Sequence, residues 1–203
     1  MKGLELFKNL FALARGGDMN ECRKLTDEVL SLGWRPSDAA VGLIQPALYQ
    51  IGRDWEEGRI TVAEEHQFSA WCDRALALLE GASAPVPGPL RVLICMVDGN
   101  AHTLGPRIAA LYLRDRGISV LATVPGLPDA EIIEMCRREN PALLGLSASM
   151  RPGLDRARAV VALAAKLPNP PRVVVGGLAS RFPEAAGLER MLTVGDLAAA
   201  LSA

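Results

Sequence analysis

Apolar residues recur at helical spacing through roughly the first eighty positions and then fall into short unbroken runs, so two kinds of structure are written into one chain. Between residues 3 and 15, Leu4, Phe7, Leu10, Phe11 and Leu13 follow a helical period that ends at Gly16 and Gly17. Asp18, with Glu21 three residues later, has the form of a capping box opening a second helix. Val29, Leu30 and Leu32 continue the apolar side of that helix, and Gly33 stops it. Pro36 suits the first turn of a third helix running to about Trp55. Gly58 breaks the chain, and Thr61 with Glu64 marks a fourth start, reaching about Leu79. Short loops between four amphipathic helices predict an antiparallel bundle over residues 1–81.

Residues 82–89 are small and Pro-rich, the composition of a linker. From residue 90 onward the pattern alternates. Val92 to Val97 is a continuous apolar run of the kind buried on both faces of a parallel sheet. Pro106 to Arg116 is helical, Ser119 to Val124 a strand, and Asp129 to Asn140 a helix. Leu143 to Ser147 is a third strand, followed by a helix over Leu154 to Leu167. Arg172 to Val175 is a fourth strand, ending at Gly176 and Gly177. A short strand near Met191 to Thr193 and a helix from about Val194 to Leu201 complete the expectation. This alternation predicts an α/β doubly wound domain of flavodoxin or Rossmann type over residues 90–203. Ligands of such sheets bind beyond the carboxyl ends of the strands.

Composition narrows the function classes. The net charge of −1 gives no footprint for nucleic acid or an anionic membrane. No apolar run is long enough to span a bilayer, and the first residues lack a signal-peptide core, so the cytoplasm is the expected location. Cys22, Cys72, Cys95 and Cys136 are scattered without metal-site spacing and read as buried free thiols. There are only two histidines, His66 and His102, and no independent catalytic constellation is visible.

Three loops at the expected ligand-binding edge carry distinctive residues. The first contains Asp98, Asn100, His102 and Gly105, the second Ser147 to Ser149, and the third Gly176 and Gly177. His102-x-x-Gly105 is followed by 41 residues and then Ser147; 26 residues separate Ser149 from Gly176. This spacing resembles that of the cobalamin-binding domain of methionine synthase, cobalamin-dependent mutases and corrinoid proteins. The resemblance implies that His102 is the lower axial ligand of cobalt, replacing the cofactor's own benzimidazole base. It also implies that the displaced nucleotide tail enters the α/β domain. Gly105 would then let a helix start approach the tail, Ser147 would bond the buried base, and Gly176 and Gly177 would leave room beside the backbone. Two positions depart from the family pattern. Asn100 stands where an acid usually orients the histidine, and its amide oxygen can accept the same bond only as a neutral acceptor. Ser149 replaces the usual leucine.

The segment from Trp55 to His66 has the pattern W-x9-E-H. It resembles the helical cap of cobalamin-dependent light-responsive repressors, in which the cap accommodates 5′-deoxyadenosylcobalamin and light breaks the cobalt–carbon bond. That resemblance implies that Trp55 offers a flat face to the adenosyl group or corrin, while Glu65 and His66 offer hydrogen-bonding groups to its ribose or adenine. Glu56 occupies the place where those repressors carry a second histidine, and the chain has no segment patterned like their DNA-binding domain. The expectation is therefore an adenosylcobalamin-dependent sensor or regulator acting through a protein partner or self-association, without direct nucleic-acid binding. The alternative is a corrinoid carrier in methyl transfer, for which methylcobalamin would be the cofactor form.

Overall fold

The computed structural model of the chain describes residues 2–97 and 102–201, and within them two units, divided between Ala84 and Pro85, each build their own core. The first unit is helical. α1 (Lys2–Gly16) buries Leu6, Leu10 and Ala14, an i, i+4 row, and leaves Leu4 at the surface. Of the expected apolar row, Leu10 is buried and Phe7, Phe11 and Leu13 are half-buried, while Leu6 and Ala14 join the packed face in place of Leu4. Phe11 meets Phe68 at 5.0 Å between ring centroids.

α2 (Met19–Ser31) is capped by Asp18, whose side chain accepts the Asn20 amide at 2.9 Å. The reciprocal half of the expected capping box is missing, because Glu21 pairs with Lys24 at 2.5 Å. Cys22, Leu25, Thr26 and Val29 face inward, whereas Leu32 lies exposed at the helix end.

The third rod is interrupted. α3 (Pro36–Ala39) passes into a π turn, Ala40–Ile44, before α4 (Gln45–Glu56), and the Gln45 amide donates to the Ala40 carbonyl. Pro46 has no amide hydrogen to give the preceding turn, and widening the ladder immediately before it accommodates that loss. α5 (Val62–Ala82) opens with a complete capping box between Thr61 and Glu64, as its sequence predicts.

The turn joining α4 to α5 is held by one buried carboxylate. Asp54, 8% exposed, accepts Arg59 Nε at 3.0 Å, Arg59 Nη2 at 2.6 Å and Gln50 Nε2 at 2.8 Å, all on Oδ1. The Arg59 amide also donates to the Asp54 carbonyl at 2.8 Å. Arg59 holds the Asp54 carboxyl below the usual carboxylate range.

The second unit is a four-stranded parallel sheet in the order β2-β1-β3-β4, with β1 Val92–Met96, β2 Val120–Thr123, β3 Leu143–Ser147 and β4 Arg172–Gly176. α6 (Leu104–Arg114) and α9 (Val194–Ala199) cover the face carrying Val92, Ile94 and Val174. α7 (Asp129–Glu139) and α8 (Arg151–Ala164) cover the face carrying Leu93, Cys95, Leu144 and Leu146. β1 is buried along its whole length, as its unbroken apolar run predicts.

Two helices start earlier than expected. α6 begins at Leu104 and α8 at Arg151, because Pro106 and Pro152 fall in first turns, where a missing amide hydrogen costs nothing. No strand forms at residues 191–193. A single parallel bridge joins Val175 to Arg190, with the Val175 and Met191 amides donating to Glu189 and Val175 carbonyls. The chain arrives there through short 3-10 turns and leaves at once into the Thr193 cap of α9, so no longer ladder can develop.

Gly177 has φ 88°, and a Cβ there would overlap the Ala148 carbonyl oxygen. Gly177→Ala is therefore expected to lower unfolding stability by about 1–3 kcal/mol in urea titrations. Gly176→Ala, whose new methyl would meet nothing nearer than 3.9 Å, should change it by less than about 1 kcal/mol; equal losses would reject the steric explanation. The depressed Asp54 carboxyl contributes stability at neutral pH that disappears as pH falls through its folded-state value. Asp54→Asn should accordingly unfold at lower temperature than wild type near pH 7, with the gap closing in acid; a gap constant with pH would contradict the clasp.

Candidate functional site

The sheet order reverses between β1 and β3, which start from neighbouring positions and send their following helices to opposite faces. This is the place where an open α/β sheet leaves a crevice at its carboxyl edge. Backbone hydrogen bonds continue past the strands here. The Val97 amide donates to the Ser147 carbonyl at 3.1 Å, the Ala148 amide to the Gly176 carbonyl at 3.0 Å, and the Ala179 amide to the Ala148 carbonyl at 3.0 Å. The exits of β1, β3 and β4 are thereby tied into one row, and the three loops singled out in the sequence leave from it.

His102 is exposed and stands two residues before α6 begins. Asn100, with Asp98, Gly99 and Ala101, lies outside the described residues. Gly105 lies in the first turn of α6, where a Cβ would meet no atom of the described residues within 4 Å. Glycine weakens a helix by up to about 1 kcal/mol, yet neither backbone geometry nor a neighbour among the described residues demands it at this position. Ser147 closes β3 half-buried, and among the described residues its hydroxyl has no hydrogen-bond partner. Ser149 is half-buried one residue beyond the fully buried Ala148.

The two glycines after β4 differ. Gly177 is required by its positive φ and by the approach to Ala148, whereas Gly176 has ordinary space around it. The fold thus requires glycine at 177 and does not require it at 176. An unpartnered hydroxyl and a side-chain-free helix start beside a histidine form a donor set that fits a corrinoid with a nucleotide tail.

In the helical unit, Trp55 sits in the last turn of α4 with 47% of its surface exposed. Trp71, by contrast, is fully buried and donates its indole hydrogen to the Asp18 carbonyl at 2.9 Å. No partner occurs for the Trp55 indole among the described residues. Glu65 and His66 lie in the early turns of α5, which packs against α4. Glu65 is three-quarters buried and accepts the Ser69 hydroxyl at 2.6 Å, while the His66 imidazole is largely exposed, with Nε2 3.7 Å from Glu65 Oε2.

Sequence reading missed the residues that brace these loops. Asp54, Gln50 and Arg59 hold the turn after Trp55. Arg156 in α8 donates to the Val97 carbonyl, the Leu127 carbonyl and Asp129. An arginine on an otherwise amphipathic helix gives no sequence signal of that kind. The four cysteines are buried and free. Burial pushes Cys22, Cys95 and Cys136 up to about 11 and Cys72 to about 12, which leaves them unreactive at neutral pH. Among the described residues no cluster of three histidine, cysteine or acidic side chains could hold a bare metal ion, and no helix is long and apolar enough to cross a membrane.

Both units match known families. Residues 6–80 fit one B12 binding domain model and residues 90–198 a second. The HTH-type transcriptional repressor CarH of Myxococcus xanthus is 29% identical over 179 residues, 88% of this chain; the chain spans 59% of that repressor's length. The pivalyl-CoA mutase small subunit of Xanthobacter autotrophicus is 32% identical over 111 residues, 53% of this chain and 75% of that protein. The monomethylamine corrinoid protein of Methanosarcina barkeri shares the fold, with a TM-score of 0.78, 16% identity and 98% of each chain covered. With a helical B12-binding domain ahead of an α/β one, this chain belongs to the B12-binding family and is a cobalamin-binding protein.

Proposed function

We propose that the chain is an adenosylcobalamin-dependent sensor in which His102 is the lower axial ligand of cobalt. The observation that carries the sensor reading is the half-exposed indole of Trp55, without a partner among the described residues, on a helix that packs against the one carrying Glu65 and His66. It is supported by a repressor relative whose similarity runs through both units, whereas the mutase subunit matches about half the chain. When bound, the cofactor supplies a cobalt–carbon bond that light can break.

The protein's own residues do the rest. A neutral imidazole at His102 is a good ligand for a borderline metal. By its chemistry Asn100 would offer the orienting hydrogen bond only a neutral acceptor, about half as strong as a carboxylate. Gly105 and Gly176 keep backbone close to the nucleotide tail, and the Ser147 hydroxyl bonds its base; Ser149 borders the same path. Trp55 stacks on the upper group, with Glu65 and His66 directing hydrogen bonds at its ribose and adenine. Glu56 cannot supply the imidazole that a second axial histidine would, so the illuminated protein is not expected to form a bis-histidine state through that position. A change of self-association or of a protein partner is the expected output, and the cytoplasm the expected location.

The second reading, a corrinoid carrier in methyl transfer, draws on the fold shared with the monomethylamine corrinoid protein. The two part in one experiment. Purified protein loaded with adenosylcobalamin in darkness should change its absorption spectrum and its size on gel filtration after illumination. Preference for methylcobalamin, with methyl transfer to a thiol acceptor and no light-dependent change of size, would favour the carrier. His102→Ala should abolish the histidine-ligated spectrum; an unchanged spectrum rejects the ligand assignment. Trp55→Ala should weaken adenosylcobalamin binding about tenfold, from the loss of roughly 1–1.5 kcal/mol of stacking, with little effect on hydroxocobalamin. Equal losses for both forms would reject its role against the adenosyl group.

A further inference from the structure

We infer that Arg156 is a positioning residue for His102, fixing the point at which β1 hands over to the loop that carries the imidazole. This rests on the assignment of His102 as ligand. All three guanidinium nitrogens are engaged: Nη1 donates to the Val97 carbonyl at 2.8 Å, Nη2 to the Leu127 carbonyl at 2.6 Å and Nε to Asp129 Oδ1 at 2.7 Å. Each partner belongs to a different piece of the carboxyl edge. Val97 is the first residue past β1, Leu127 lies in the segment between β2 and α7, and Asp129 opens α7.

The planar fork of arginine suits this triple grip, because its donors diverge in fixed directions. Gly126 strengthens the arrangement. A Cβ there would come within 2.6 Å of the Met96 carbonyl oxygen, so the segment carrying Leu127 lies directly on the end of β1. His102 follows Val97 by five positions and precedes Leu104, where α6 begins. α6 packs on β1 and β2. His102 thus lies between a helix seated on the sheet and Val97, whose amide donates to the Ser147 carbonyl and whose carbonyl accepts from Arg156.

A histidine can replace the cofactor's benzimidazole only if its nitrogen is offered within a few tenths of an ångström of the metal axis. Removing the guanidinium takes away the hold on the Val97 carbonyl, the point from which the chain runs on to His102, while the competing benzimidazole, tethered to the corrin, keeps its local concentration. The balance between the two axial nitrogens then moves toward the benzimidazole.

The test is electron paramagnetic resonance of cob(II)alamin bound to protein labelled with ¹⁵N-histidine. A ¹⁵N axial ligand splits each cobalt line into a doublet, and the unlabelled benzimidazole splits it into a triplet. Wild type should give the doublet. Arg156→Ala should lower the doublet-to-triplet ratio about tenfold, Asp129→Asn less, because both carbonyl bonds remain, and Arg156→Lys should recover part of the loss.

Urea unfolding of each apo-protein checks that the fold survives. If Arg156→Ala does not fold, the Arg156→Lys and Asp129→Asn proteins decide, and an undiminished doublet in both overturns the proposal. An undiminished doublet in folded Arg156→Ala overturns it too, while loss of the doublet in His102→Ala shows the ligand assignment still standing. A triplet in wild type overturns that assignment itself.

Discussion

The parallel pairing of β1 with β3 is the contact on which the candidate site depends. In this register Met96 faces Ser147 and Ser147 faces Gly176, so three strands end level with one another. Successive residues of a strand point to opposite faces, and a slip of one position would turn Ser147 from one face of the sheet to the other. Nothing local prevents such a slip. It is prevented by the burial of Leu93 and Cys95 under α7 and α8 and of Val92 and Ile94 under α6 and α9, where reversing the faces would exchange two packed interiors. The hydrogen bonds that run on past the strands, from Val97 to Ser147 and from Ala148 to Gly176, carry the alignment into the loops.

Within that frame, motif positions divide by what constrains them. Gly177 is held by its own backbone, since only a residue without Cβ can take its φ and lie against Ala148. Gly105 has no such constraint, and neither does the hydroxyl of Ser147. A helix start without a side chain and a half-buried hydroxyl without a partner among the described residues are mildly unfavourable for folding taken alone. Both become intelligible in a family whose members bind a cofactor with a long polar tail.

The helical unit follows the same division. Its interior is a conventional bundle core built on Trp71, Phe68 and Leu76, and the π turn Ala40–Ile44 widens the ladder just before Pro46. Trp55 is kept out of that core by the turn that Asp54 and Arg59 close immediately after it.

Much of this was legible beforehand. Periodicity located the four helical rods and the alternating strands, the Thr61–Glu64 box marked the start of α5, and the His102, Gly105, Ser147 and Gly176 spacing pointed to cobalamin. These features are local or depend only on intervals along the chain, and composition and spacing determine them alone. Other features were decided by the tertiary structure: the burial of Leu6 and Ala14 in place of Leu4 in α1, the failure of residues 191–193 to form a strand, the steric demand for glycine at 177 and not at 176, and the grips of Asp54 and Arg156. Each depends on which atoms from distant segments come within hydrogen-bonding or van der Waals reach, and a carbonyl such as that of Val97 has no identity in a sequence until the fold brings a guanidinium to it.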